Sequence, residues 1–264
     1  MRILLTNDDG VYAHGLKVLQ AALRQRTQHE VYMIAPERER SAIGHSITLH
    51  KPLQVRKLDM GTDVVTWSVN GTPADCVKIG ALMLMPALPD LVLSGINRGA
   101  NVGIDVLYSG TVSAAIEGWI LGLPSIAVSL ASIEDGHYET AAELIVSLIE
   151  MLKETPLPGT LLNVNVPDVP WSGLTGIEAT RLGKRSFKDA FIPNVDPRGR
   201  TYYWLTGAPV EITDEPGTDS FAIRHNVASI TPIRLALTDE AQMETIAGLA
   251  AVLYRNGAQP QLPT

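Results

Sequence analysis

Two adjacent acids, Asp8 and Asp9, close the short apolar run Ile3-Leu4-Leu5 and are followed at once by Gly10. Neighbouring side chains of a regular strand point to opposite faces, so adjacent carboxylates converge only where the strand breaks into a turn, which Gly10 permits. Their charges repel, and holding both together is costly unless a cation or a helix N-terminus compensates. An N-cap for the following helix accounts for one of them; the pair points to a metal. Ser41 and Asn97 lie in loops after later strands, at the same carboxyl ends. With Asp8 and Asp9 they make an all-oxygen shell, suited to one hard divalent cation (Mg²⁺, Mn²⁺ or Ca²⁺) rather than zinc. The six histidines show no zinc spacing.

A second set of residues suits an anion. The run Ser94 to Thr111 carries glycines at 95, 99, 103 and 110, where backbone can approach a ligand closely. Ser109-Gly110-Thr111 opens a helix whose free amides and dipole favour a phosphate, with Asn101 nearby; a simple N-cap explains the same residues without a ligand. Gly44 and His45, in the loop from Ser41 to Thr48, are further candidates to contact phosphate, and His45 to protonate a leaving oxygen. The run lacks the lysine of a Walker loop and the Gly-x-Gly-x-x-Gly spacing of a dinucleotide fold, which weighs against ATP and NAD.

The elements that must position these residues follow from periodicity. Residues 2–6 and 31–35 read as buried strands joined by a helix with Tyr12, Leu16, Leu19 and Leu23 on one face. A hairpin is expected around Met60-Gly61-Thr62-Asp63, and a helix from Thr72-Pro73, with Asp75 facing its first amides. Strands at 91–93, 126–128 and 161–166 alternate with helices from Thr111 to Leu121 and around Leu144 to Leu152. This predicts an α/β fold: a Rossmann-like, doubly wound, mostly parallel sheet. The expected division is a catalytic core over 1–167 and, over 168–264, a smaller β-rich region with a terminal helix from Thr238.

Composition bounds the rest. There are 21 Lys+Arg against 28 Asp+Glu, a net charge of −7, which disfavours a nucleic acid polymer or an anionic membrane as partner. The single Cys76 forms no internal disulfide and reads as a buried thiol. The apolar run after Arg2 is too short for a signal peptide and no later run could span a bilayer, so a cytoplasmic setting is expected.

Taken in order, the motifs resemble the SurE family of metal-dependent nucleotidases. The match runs through Asn7-Asp8-Asp9-Gly10, Ser41, Gly44-His45-Ser46-Ile47-Thr48, Asn70-Gly71-Thr72-Pro73-Ala74-Asp75-Cys76-Val77 and Ser94-Gly95-Ile96-Asn97. It continues with Tyr108-Ser109-Gly110-Thr111-Val112, Asn163-Val164-Asn165-Val166-Pro167, Asp196-Pro197-Arg198-Gly199-Arg200 and Ser229-Ile230-Thr231-Pro232. The resemblance implies hydrolysis of nucleoside monophosphates, with a divalent cation on Asp8, Asp9, Ser41 and Asn97. It also implies a homodimer or homotetramer whose 180–210 hairpin and C-terminal helix exchange contacts between subunits. Asn226 stands where the family pattern has glycine, and Ser113 where it has a smaller residue.

The expected chemistry is attack of a metal-activated water on a phosphomonoester, with Asp8 orienting or deprotonating the water and Asp9 chiefly a ligand. Two rivals are carried. In an aspartyl-phosphate phosphatase Asp8 would attack phosphorus itself, but such enzymes separate their two acids by one residue. A regulatory module would bind nucleotide without turnover, yet gains nothing from two carboxylates beside its anion unless a cation intervenes.

Overall fold

The computed structural model describes residues 1–132, 136–155, 159–211 and 215–255, in two compact units, Met1–Ile233 and Arg234–Thr264. In the first unit β1 (Arg2–Thr6), α1 (His14–Arg26) and β2 (Glu30–Pro36) form the opening crossover. Next come β3 (Val55–Leu58), β4 (Val65–Val69), α2 (Pro73–Ile79), β5 (Leu91–Arg98), α3 (Gly110–Ile120), β6 (Ser125–Ala131), α4 (Tyr138–Glu154) and β7 (Leu161–Pro167). The chain continues through β8 (Gly176–Ala179), β9 (Arg185–Val195), β10 (Thr201–Glu211), α5 (Asp219–Arg224) and β11 (Val227–Pro232).

Nine strands form one sheet in the order β3-β4-β2-β1-β5-β6-β7-β11-β8. The pairings from β4 to β7 are all parallel, while β3 and β11 run antiparallel to β4 and β7. The chain leaves β1 toward β2 and later returns to its other side as β5. The carboxyl ends of β1 and β5 therefore flank the point where strand order reverses, the usual ligand crevice of such sheets.

Helices cover both faces, so the central strands are apolar throughout rather than alternating. Ile3, Leu5, Leu93 and Val164 pack under Leu16, Leu19 and Leu23 of α1 and Ile145 and Ile149 of α4. On the other face Leu4, Ile34 and Val92 pack against Cys76 and Val77 of α2 and Ala114 of α3. Each such buried aliphatic side chain contributes about 1.5–3 kcal/mol. Helix α1 closes onto β5 at Gly15, where a Cβ would lie 2.1 Å from the Ile96 carbonyl oxygen. Helix α2 starts as expected: Thr72 Oγ1 accepts from the Asp75 N–H and Asp75 accepts from the Thr72 N–H, a reciprocal cap. Cys76 is fully buried, and burial pushes its thiol far above the ordinary range.

Two readings change in detail. The third core strand does not stop at Leu93; β5 runs on to Arg98, through residues expected to be loop. The sheet register slips between Ser94 and Asn97, where β5 carries one residue more than β6, a bulge that re-aims the side chains beyond it. The hairpin β3–β4 is also joined to the core, because β4 pairs in parallel with β2. After residue 167, β8 and β11 extend the main sheet, whereas β9 and β10 form a separate two-stranded ribbon. Asn226 adopts a φ of 59°, the left-handed conformation that glycine or asparagine supplies at lowest cost.

In the second unit Asp239 caps a short 3₁₀ turn, Glu240–Gln242, so the terminal helix α6 spans Met243–Arg255 rather than starting at Thr238. Its Met243, Ile246, Leu249 and Leu253 are exposed. No helix among the described residues is long and apolar enough to cross a membrane.

Candidate active site

The turn after β1 is held by Asn7, which is fully buried and bonds Gly10 in both directions. Its Nδ2 donates to the Gly10 carbonyl at 3.0 Å and its Oδ1 accepts from the Gly10 N–H at 3.2 Å. Gly10 has a φ of 101°. The Arg40 N–H donates to the Asp8 carbonyl at 2.8 Å, which carries the next residue, Ser41, to the same place. The bulge in β5 brings Asn97 there as well.

Asp8, Asp9, Ser41, Asn97, Asn101 and Ser109 line one cavity of about 310 Å³, together with Glu39, Arg98, Asp105 and Tyr108. It lies at the carboxyl ends of β1 and β5, beside the N-terminus of α3. A larger cavity of about 570 Å³ opens at the opposite ends of the strands. Its wall is chiefly apolar (Leu91, Ile126, Ile149 and Leu152 among others) and holds no convergent acid pair, so the smaller cavity is the one equipped for chemistry.

Asp8 is buried, and the Thr111 hydroxyl donates to its Oδ1. Burial pushes its pKa up to about 6; the Thr111 bond opposes this and the charge of Asp9 adds to it. Asp9 is also raised, first by burial, against a bond from the Arg98 N–H at 3.3 Å, with the charge of Glu39 raising it further. The Arg98 charge lowers Asp9, but among the described residues no Lys, Arg or His forms an ion pair with either carboxylate. Two adjacent acids without an ion-pair partner are what a divalent ion would stabilise. No three His, Cys, Asp or Glu side chains converge anywhere among the described residues, so such an ion needs neutral oxygens too. The Ser41 hydroxyl and the Asn97 amide oxygen are at hand. The donor set fits a hard cation.

The other expected residues divide. Asn101 and Ser109 are on the wall. Ser109 Oγ accepts from the Val112 N–H at 3.1 Å as the N-cap of α3, a bond that does not use its own hydroxyl hydrogen. Gly110 and Thr111 stand behind the wall: a Cβ on Gly110 would lie 2.7 Å from Asp8 Cβ, and Thr111 is occupied by Asp8. Gly44 and His45 are also off the wall. The Gly44 N–H donates to the Tyr108 carbonyl at 3.0 Å, and His45 Nε2 lies 2.9 Å from Glu117 Oε2. Glu117 is buried on α3 and holds Lys78 of α2 at 2.8 Å through its other oxygen. Its signal in the sequence is an acid amid the apolar run Ala114-Ala115-Ile116. Asp219, which accepts from the Gly103 N–H at 2.9 Å, carries no such signal, because an acid after an N-cap threonine reads as an ordinary first-turn residue.

A family model, described as Survival protein SurE, matches residues 3–189. A 5'-nucleotidase SurE of Pelotomaculum thermopropionicum is 50% identical over 248 residues, covering 93% of this chain and 94% of that protein. One from Xanthomonas campestris is 48% identical over 251 residues, 94% of this chain and 95% of that protein. The crystal structure of SurE protein from Aquifex aeolicus superposes with a TM-score of 0.81 at 41% identity, covering 95% of this chain and all of that one. The chain belongs to the SurE family.

Proposed function

We propose that this chain is a metal-dependent nucleotidase, a phosphoric monoester hydrolase that converts nucleoside monophosphates to nucleoside and phosphate in the Asp8/Asp9 cavity. The observation that carries the reading is the adjacent carboxylate pair, Asp8 buried and Asp9 half-buried, which makes no ion pair among the described residues and shares one cavity with the N-terminus of α3. Asp8, Asp9, Ser41 and Asn97 would hold one divalent cation per subunit. When bound, such an ion polarises the phosphoryl group and lowers the pKa of water.

The chain's own residues do the rest. Thr111 fixes the Asp8 carboxylate, which orients the attacking water and takes its proton as the new P–O bond forms; the ester P–O bond breaks with its electron pair on the nucleoside oxygen, which takes a proton from solvent. Ser109 and Asn101 donate to the equatorial oxygens, and the first amides of α3 add their dipoles. The names of the relatives favour a 5′-phosphate.

The test is phosphate release from the purified protein over 5′- and 3′-nucleoside monophosphates, with Mg²⁺, Mn²⁺ or Ca²⁺ and with chelator. Release that stops in chelator and returns with metal is expected. Nucleotide binding without release would favour the regulatory module, and a phosphoaspartate trapped by rapid quench the covalent rival.

The assembly is a homodimer or homotetramer in this reading. The β9–β10 ribbon exposes Phe191, Ile192, Tyr203, Trp204 and Leu205, and α6 exposes Ile246, Leu249 and Leu253, more apolar surface than a monomer usually leaves bare. Light scattering is expected to give a mass of two or four chains; a monomer at micromolar concentration would overturn this.

A further inference from the structure

The motif Asn163-Val164-Asn165 has no part in the chemistry above, yet it spends two fully buried amides. In β7 Leu162, Val164 and Val166 join the core under α1 and α4, so Asn163 and Asn165 face the α3 side of the sheet. Burying an amide costs about 1–3 kcal/mol unless it is bonded, and the bonds converge on one residue. Asn165 Oδ1 accepts from the Asn101 N–H at 2.8 Å, and Asn165 Nδ2 donates to the Asn101 carbonyl at 3.0 Å. Asn163 Nδ2 donates to the same carbonyl at 2.7 Å. An asparagine or glutamine side chain offers a donor and an acceptor side by side, which here match the N–H and C=O of a single residue. The side chain of Asn101 is held as well: its Nδ2 donates to Ser129 Oγ at 2.8 Å, and Ser129 is the register partner of Asn165 across β6 and β7.

Main chain and side chain of Asn101 are thus both held by the protein where the residue lines the cavity, and the bond to Ser129 uses one of the two Nδ2 hydrogens. We infer that Asn165 is a positioning residue for the hydrolysis: through the Asn101 main chain, and with Ser129, it aims the Asn101 amide at the phosphoryl group. The inference rests on the nucleotidase reading. A donor held in place needs no reorganisation as charge develops on the phosphoryl oxygens, which is why rigid support beneath it matters to rate.

A double-mutant cycle tests this, with kcat, KM, inhibition by inorganic phosphate, Mn²⁺ binding and thermal midpoint measured on each protein. Asn101→Ala and Asn165→Ala are each expected to lower kcat/KM by about 10- to 100-fold and to weaken phosphate inhibition. Mn²⁺ affinity should stay within about twofold, because Asp8, Asp9, Ser41 and Asn97 are held elsewhere. The double variant should be no worse than the poorer single one. Ser129→Ala removes only the side-chain anchor; if Asn165→Ala does not fold, it should show the same non-additivity at a smaller factor. An active wild type whose effects multiply, or an Asn165→Ala protein within about twofold of wild type in kcat/KM, overturns the inference alone. A wild type that releases phosphate from no nucleoside monophosphate overturns the nucleotidase reading, and this inference with it.

Discussion

Asp8→Asn is expected to lower kcat by about a thousandfold or more while the metal-free protein stays folded and gains stability. The two halves have separate causes. Catalysis loses the group that orients and deprotonates water and one of two anionic cation ligands; losses of this size are typical when a base or metal ligand is removed. Stability follows from the carboxylate itself. Its pKa of about 6 against an ordinary 3.8 means that burial makes the ionised form costly, on the order of 3 kcal/mol near neutral pH. An amide of the same shape carries no such charge and still accepts from Thr111. Divalent ion should raise the thermal midpoint of wild type far more than that of the variant. Near-normal turnover in Asp8→Asn would remove Asp8 from the mechanism.

Asp219→Ala should produce the largest loss of stability. Asp219 is fully buried; its Oδ2 accepts from the Gly103 N–H at 2.9 Å, and its Oδ1 from those of Gly183 and Ser220 at 2.7 and 2.8 Å. Removing the carboxylate strands three buried amides, and at about 1–3 kcal/mol each the expected cost is roughly 3–9 kcal/mol. That is a large share of the 5–15 kcal/mol by which a domain of this kind is stable. Urea unfolding of Asp219→Ala and Asp219→Asn against wild type checks it, with the asparagine variant intermediate. A loss under about 1 kcal/mol would show that the three amides find other acceptors. Activity should fall too, because Gly103 begins the turn that delivers Asp105, Tyr108 and Ser109 to the cavity.

Much of this architecture is readable from period and punctuation. The parallel core follows from apolar runs alternating with amphipathic helices, and the Thr72-Pro73 start of α2 from capping chemistry alone. Asp8 and Asp9 stand out because adjacency at a strand end is itself a physical anomaly, and Ser41 and Asn97 follow once strand order puts their loops at the same edge. What stays hidden are side-chain partnerships across long stretches of chain. Thr111 reads as a phosphate donor until the fold sets it on Asp8, and His45 reads as a phosphate contact until Glu117, on α3, takes it. Asn97 reads as a loop residue because a bulge inside β5 has no signature in residue type. The period-two amides of β7 reveal a polar stripe, though only the fold shows that Asn101 fills it.

The Gly44-to-Thr48 segment is fastened at four successive points: Gly44 to Tyr108, His45 to Glu117, the Ser46 carbonyl to Thr72, and the Thr48 N–H to Asp75. It is thereby tied to both α2 and α3. The stretch just before it, between the Arg40 tether on Asp8 and Gly44, turns at Ala42, whose φ is 52°. Ser41, proposed above as a cation ligand, is therefore carried on the short span between two anchored points, and its reach to Asp8 and Asp9 is set by that turn.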